Sequence, residues 1–172
     1  FATAHRKHAS TYGVAKYIPA VCGFLVEQEL RMFDKVLNAP EHPFVAILGG
    51  AKVADKLPVV ENLIDIVDTI LIGGGMAYTF FKAMGYEIGK SILDADNIDF
   101  AKELLAKAEA AGVKMLLPVD VVCADDFNND ANTVIVDRDQ MPADMEGLDI
   151  GPKTVELYKE TLLAAKTVVW NG

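Results

Sequence analysis

FVAILGGAKVADK, residues Phe44 to Lys56, is an unbroken apolar run that ends in two glycines and is followed by two lysines four positions apart. Five β-prone apolar residues without polar alternation mark a strand buried on both faces, the habit of parallel sheets. TILIGGG, Thr69 to Gly75, repeats the arrangement, and a helix is predicted from Met76 to Met84. Between the two runs, Leu57, Val60, Leu63, Ile64 and Val67 recur at helical spacing. Further on, Asn97 is expected to cap a helix that runs to Ala111, Gly112 to end it, and Val113 to Val119 to form a strand. TVELYKETLLAAK reads as a helix, and TVVW, Thr167 to Trp170, as a fourth buried strand followed at once by Asn171 and Gly172. Strands alternating with helices imply an α/β fold, a three-layer Rossmann-like parallel sheet with helices on both faces. The sheet is expected to be incomplete at its C-terminal end, because the chain stops where a strand-to-ligand loop would start. Ligands of such sheets bind outside the carboxyl ends of the strands.

Around this frame the chain is less regular. Leu25, Leu30, Phe33, Val36 and Leu37 form a helical stripe, stopped by Pro40 and Pro43. The segment from Cys123 to Thr154 is rich in Asn, Asp, Pro and Gly, with one short β-prone run at Thr133 to Val136, and reads as an irregular excursion on the sheet's rim.

With 172 residues, 52% of them apolar, the chain can bury a full-sized core and is not composed like a disordered one. Its 16 Lys and Arg against 25 Asp and Glu leave a net charge of −9, which repels nucleic acid and anionic membranes, so neither is expected as a partner. An anionic ligand must be captured locally. Cys22 and Cys123 lie far apart in apolar settings without metal-ligand spacing, so both are expected to be buried free thiols in a reducing cytosol and no protein-bound metal is expected. The longest uncharged stretch, Thr69 to Phe81, is too short and too glycine-rich for a membrane helix. The first residues lack an initiating methionine and any signal-peptide pattern, and read as a start inside a longer protein.

Lys52 and Lys56 at positions i and i+4 of a helix would sit about 5–6 Å apart at Cβ and repel each other. Gly49 and Gly50 precede them where a strand ends and a helix starts, so backbone N–H groups and the positive helix end face the cleft. A bound anion would relieve the repulsion; a solvated helix face neutralised in part by Asp55 is the other reading. Gly73, Gly74 and Gly75 also follow a strand, but a dinucleotide fingerprint would need glycine where Tyr78 stands. Either a ligand presses on bare backbone there or the glycines make a tight turn. MGYEIGKS, Met84 to Ser91, ends like a P-loop but starts with methionine and follows a helix, so it is a decoy. His5, Arg6, Lys7 and His8 form the densest cationic spot, suited to a carboxylate or phosphate, or simply a basic helix start on the surface.

Taken together, FATAHRKHAST, ILGGAKVADK, LIGGGMAYTF, GLDIGP and the closing VVWNG resemble the phosphoglycerate kinase family in order and spacing, over essentially the whole chain. The resemblance implies a cytoplasmic, glycolytic, monomeric two-lobed enzyme that moves a phosphoryl group between 1,3-bisphosphoglycerate and ADP, giving 3-phosphoglycerate and ATP with Mg2+. Residues 1–22 would be the end of the substrate-binding domain with an interdomain helix near Tyr12 to Ala20, and residues 23–172 a truncated nucleotide-binding domain. By motif, Lys52 resembles the lysine that accompanies the migrating phosphoryl group, and Lys56 the one that holds nucleotide phosphates, with Gly50 and Ala51 in the same nucleotide-binding set. Gly73, Gly74 and Gly75 resemble one wall of the adenosine pocket, open to the flat base, and Gly147 and Leu148 the opposite wall. Asn171 and Gly172 match the start of a loop at the nucleotide. Arg6 resembles a substrate-binding arginine that shares catalysis with Lys52, and His5 and His8 belong to its basic patch.

Three departures stand out. Ala2 replaces a glycine usual in the family, and both the segment after WNG and most of the 3-phosphoglycerate site are absent. The metal would be held mainly through the nucleotide and residues not in this chain, which alone is expected to be inactive. Other readings are a non-catalytic nucleotide-binding fragment, or a dinucleotide-dependent oxidoreductase domain, against which Tyr78 speaks.

Overall fold

The computed structural model of the chain describes residues 5–51 and 53–172, with the side chains of Asp55, Leu57 and Pro58 outside that description. It divides into two units, one ending at Pro40 and the other running from Glu41 to Gly172.

In the first unit a single wide turn at Ala9–Gly13 passes into a 3-10 turn at Val14–Lys16, and helix α1 spans Phe24–Asn38. The helix expected near Tyr12 to Ala20 is therefore shorter and starts earlier: its turns end at Lys16. The stripe expected on α1 is present, yet none of its residues is buried.

The second unit carries the parallel sheet. Its strands are β1 (Phe44–Leu48), β2 (Thr69–Ile72), β3 (Lys114–Leu116) and β7 (Thr167–Asn171), in the spatial order β3-β2-β1-β7, and every pairing is parallel. Helices α2 (Leu57–Ile64), α3 (Met76–Ala83) and α4 (Ile98–Ala110) lie in the crossovers from β1 to β2 and from β2 to β3, while α5 (Pro152–Ala164) precedes the return to β7. Right-handed crossovers running first one way and then the other from β1 put these two groups of helices on opposite faces. Side chains agree. Val45 and Leu71 pack with Tyr158 of α5, and Ile47, Leu116, Leu157 and Leu162 join them. The alternate residues Phe44, Ala46, Leu48, Ile70 and Ile72 point the other way and are fully buried. The chain is thus an α/β protein with a four-stranded parallel sheet, as its apolar runs predict, but the last of them, β7, is an edge strand with Val168 and Trp170 exposed and not the buried strand expected.

The register fixes the site. Leu48 is level with Ile72 on one side and with Asn171 on the other. The strand ends at Gly49, Gly73 and Gly172 therefore lie side by side.

Two expectations are corrected. The strand expected over Val113 to Val119 splits: β3 stops at Leu116, and β4 (Asp120–Ala124) belongs to another sheet. Pro118 stands in the gap, and proline cannot donate to a ladder. The supposed irregular excursion is in fact that second sheet, antiparallel, in which β4 lies between β5 (Thr133–Asp137) and β6 (Glu146–Ile150).

Smaller differences concern single residues. Asn97 occupies the N-cap position of α4 but makes no capping bond; its Nδ2 donates instead to Asp94 Oδ1 at 2.8 Å. Cys123 is buried, and burial pushes its thiol pKa up, whereas Cys22 is exposed, contrary to expectation. Among the described residues no helix is long and apolar enough to cross a membrane.

Candidate functional site at the carboxyl ends of the sheet

Backbone bonds knit together the strand ends and the glycines that follow them. The Gly73 N–H donates to Leu48 O at 2.8 Å, the Gly49 N–H to Asn171 O at 3.1 Å, and the Met76 N–H to Gly50 O at 2.8 Å. The loops lie so close that a Cβ on Gly74 would come within 3.1 Å of Gly50 N and 3.2 Å of Gly50 O. Gly74 also has φ +65°, where a side chain is strained whatever the space. Bare backbone is therefore a packing requirement here.

A cavity of about 290 Å3 opens at this mouth, lined by Gly49, Gly50, Gly73, Gly74 and Gly172. Trp170 of β7, Tyr158 of α5 and Asp149 and Ile150 of β6 complete its wall. A concave, largely apolar site with a few polar groups is the usual form of a small-molecule pocket.

Lys56 stands beside it and donates through Nζ to the side-chain oxygen of Asn171. Gly50 faces the same lysine: a Cβ there would be 3.3 Å from Lys56 Cε. The lysine's setting differs from the expected one, since α2 begins at Leu57 after a 3-10 turn at Ala54–Lys56. Lys56 therefore occupies the N-cap position and not the second turn of a helix. Lys52 lies outside the described residues. Ala51 is exposed next to this turn.

The opposite wall is set by neighbours of the expected residues. Gly147 packs on the buried ring of Tyr78, and a Cβ there would meet Tyr78 Oη at 2.4 Å. Its N–H donates to Ser91 Oγ at 2.8 Å. Leu148 is part-exposed, and it is the next two residues, Asp149 and Ile150, that line the cavity. Tyr78, which spoils the dinucleotide fingerprint, thus has a structural task against β6. Burial pushes its phenol pKa well above the usual value.

Asp94 is a residue that sequence reasoning passes over. It is 9% exposed, accepts from the Ala54 N–H through Oδ2 at 3.1 Å, and donates its own N–H to Thr79 Oγ1 at 3.1 Å. It ties the turn that carries Lys56 to α3. Tyr158 is another, since only the folded chain brings α5 to the glycine loops.

In the first unit a separate cavity of about 730 Å3 gathers His5, Arg6, Lys7, Thr11 and Tyr12, with Cys22 at its wall. The ammonium groups of Lys7 and Lys16 lie 5.1 and 5.2 Å from the centre of the Tyr12 ring, within cation–π range. His8 is exposed and does not line this cavity; its carbonyl accepts from the Tyr12 and Gly13 N–H groups at 2.9 and 3.0 Å. Among the described residues no three His, Cys, Asp or Glu side chains converge as a metal site.

A parallel sheet with glycine loops and a lysine converging at its carboxyl ends defines a Rossmann-like α/β protein with its ligand crevice at that edge. Comparison with known proteins sharpens this. The model of the phosphoglycerate kinase family matches residues 1–172. The chain is 58% identical over 172 residues to the phosphoglycerate kinase of Staphylococcus carnosus (strain TM300), and 55% identical over 173 residues to that of Prosthecochloris aestuarii (strain DSM 271 / SK 413). Both matches take in all of this chain but only 43% and 44% of the relatives. Among solved structures, phosphoglycerate kinase from Coxiella burnetii superposes with a TM-score of 0.93 at 42% identity, and that from Pyrococcus horikoshii OT3 with 0.74 at 32%. Each covers 99% of this chain, which spans 44% of either one. The chain belongs to the phosphoglycerate kinase family, and it spans less than half the length of the curated relatives it matches.

Proposed function

We propose that the full-length protein carrying this chain is a cytoplasmic phosphoglycerate kinase, and that the glycine-lined mouth of the parallel sheet is its nucleotide half-site. The observation that carries this reading is the common level of Leu48, Ile72 and Asn171, which aligns the glycines after three strands with Lys56 at one edge. In this reading residues 1–22 end the substrate-binding domain and residues 23–172 belong to the nucleotide-binding one. ADP or ATP lies with its base against Gly73, Gly74 and Gly75 and toward Gly147 and Leu148. Its phosphates run toward Lys56, Gly50, Ala51, Asn171 and Gly172. Arg6, with His5 and His8, takes the phosphoglycerate.

The chemistry asks little of proton transfer. In the direction of acyl phosphate formation the nucleophile is a carboxylate with a pKa of about 3.5, already ionised at neutral pH. No general base is needed. The protein must instead hold donor and acceptor in line and neutralise charge on the equatorial oxygens of the migrating group. Lys52 and Arg6 are assigned that task, and Lys56 the grip on the nucleotide. Mg2+ is assigned mainly to the nucleotide's own phosphates and to residues not in this chain.

The test is a coupled assay with 3-phosphoglycerate and ATP on the full-length protein, beside calorimetry with ADP and NAD. Turnover and ADP binding are expected, with no NAD binding. Absence of turnover together with tight NAD binding would transfer the site to the oxidoreductase reading. This chain alone is expected to give no turnover.

A further inference from the structure

A hydroxyl group, and no strand, closes the sheet at the glycine-lined mouth. Tyr158 sits on α5 with its ring against Val45 and Leu71 and is 8% exposed. Its Oη lies 2.7 Å from the carbonyl oxygen of Ile72 and 3.0 Å from that of Leu116. These are the last carbonyls of β2 and β3. The ladder between the two strands ends at the pair Leu71–Leu116, and the chain then leaves β3 through Leu117 and Pro118. Proline has no N–H to extend that ladder. The phenol proton is the donor present at the Ile72 carbonyl on this side.

That carbonyl belongs to the peptide unit joining Ile72 to Gly73. A run of three glycines has no side chains with which to lock its own conformation, so its geometry is imposed by what grips its ends. One grip is the Gly73 N–H bonded to Leu48 O; the other is the Tyr158 hydroxyl on the preceding carbonyl. Both act on the same peptide plane. The Tyr158 ring also lines the cavity beside Gly73 and Gly74. Burial holds its pKa well above the usual phenol value, so the hydroxyl stays a donor over the working range of pH.

We propose that Tyr158 is a positioning residue for the nucleoside: by fixing the Ile72–Gly73 peptide it sets the glycine wall on which a base lies. The proposal deepens the nucleotide reading and rests on it. It makes a sided prediction, because the hydroxyl acts on the base wall and not on Lys56 or the phosphates.

The test is Tyr158→Phe in the full-length protein, which keeps the ring and removes the hydroxyl. KM for ADP is expected to rise about five- to tenfold, the loss of one buried hydrogen bond, with kcat changed less than about twofold. Adenosine binding should weaken by the same factor, and binding of inorganic tripolyphosphate should not change. Leu104→Val, in the buried interior of α4, serves as a control for general loosening; it should lower the melting temperature without raising KM for ADP. All assays are run well below the melting midpoints of both variants. An unchanged KM, an equal rise in the Leu104→Val protein, or equal weakening of tripolyphosphate would each overturn the proposal. If the unmutated protein binds neither ADP nor adenosine, the nucleotide reading itself is what has failed.

Discussion

Lys56 and Asn171, 115 positions apart, meet side chain to side chain at the carboxyl edge of the sheet, the lysine donating to the asparagine oxygen. The contact exists because β7 is level with β1, so that Asn171 ends its strand opposite Leu48. An amide oxygen orients an ammonium group without neutralising it, and leaves its positive charge available to a phosphate.

The proposed function assigns the two lysines different tasks. In the full-length protein, Lys56→Ala is expected to weaken ADP about tenfold with kcat little changed, the loss of one charge-assisted bond. Lys52→Ala, at the lysine assigned above to the migrating group, is expected to lower kcat by about 100-fold or more with a small change in ADP affinity. Steady-state kinetics beside equilibrium binding give both numbers. Equal losses of both kinds in both variants would end this division of roles.

The glycine wall makes a prediction about stability. Gly85 and Gly74 both have positive φ, +90° and +65°, but only Gly74 has neighbours within reach of a Cβ. Gly85→Ala is expected to cost about 1–2 kcal/mol, the backbone term alone. Gly74→Ala should cost more, because the Gly50 backbone would have to give way as well. Urea titration of the two variants compares them directly; a smaller cost at Gly74 would mean that the loops are not held together as tightly as their bonds indicate.

Asp94 supports the lysine turn from below. Asp94→Ala would strip the Ala54 N–H of its carboxylate partner and break the tie to Asn97, at an expected cost of about 2–3 kcal/mol. The same variant should weaken ADP binding more than Asn97→Ala, which removes the Asn97 bond but leaves the turn anchored. Calorimetry with ADP on both variants decides it.

What could be read in advance follows a physical line. β1 and β2 are legible because every position but one in them is buried, which leaves an unbroken apolar run. β5 shows only in part, as the β-prone run at Thr133 to Val136, because its exposed Val134 and Ile135 do not mark a sheet, and β6 is not legible, since it carries a glycine and two acids with weak strand preference. The start of α2 was within reach, since Pro58 favours the first turn of a helix and so places Lys56 before it. Tyr158, Asp94 and the bond between Lys56 and Asn171 were not, because nothing local encodes contacts made across 86, 40 and 115 positions. The glycine clusters marked the mouth of the site, while the register of the sheet decides which residues face it.

Acid stability should turn largely on Asp120. This carboxylate is 1% exposed, and burial by itself would raise its pKa. The effect is outweighed by hydrogen bonds from Thr154 Oγ1 at 2.6 Å, the Lys153 N–H at 2.9 Å and the Thr154 N–H at 2.8 Å, and by the nearby Lys153 charge. The net shift is downward. Asp120 thus caps α5 from β4, and a Cβ on Gly151 would strike its carboxylate at 2.3 Å, so the fit is close. A group whose folded pKa lies below its unfolded one stabilises fully above the unfolded value of about 3.9, and loses that contribution as pH falls through the folded value. Stability is therefore expected to be flat near neutrality and to fall below about pH 4. Asp68, lowered by the Phe44 N–H and by His42, adds to the same slope. Asp120→Asn should lower stability at pH 7 and flatten the decline below pH 4, as followed by urea midpoints across the range. A variant as acid-sensitive as the unmutated chain would show that Asp120 is not the group being protonated.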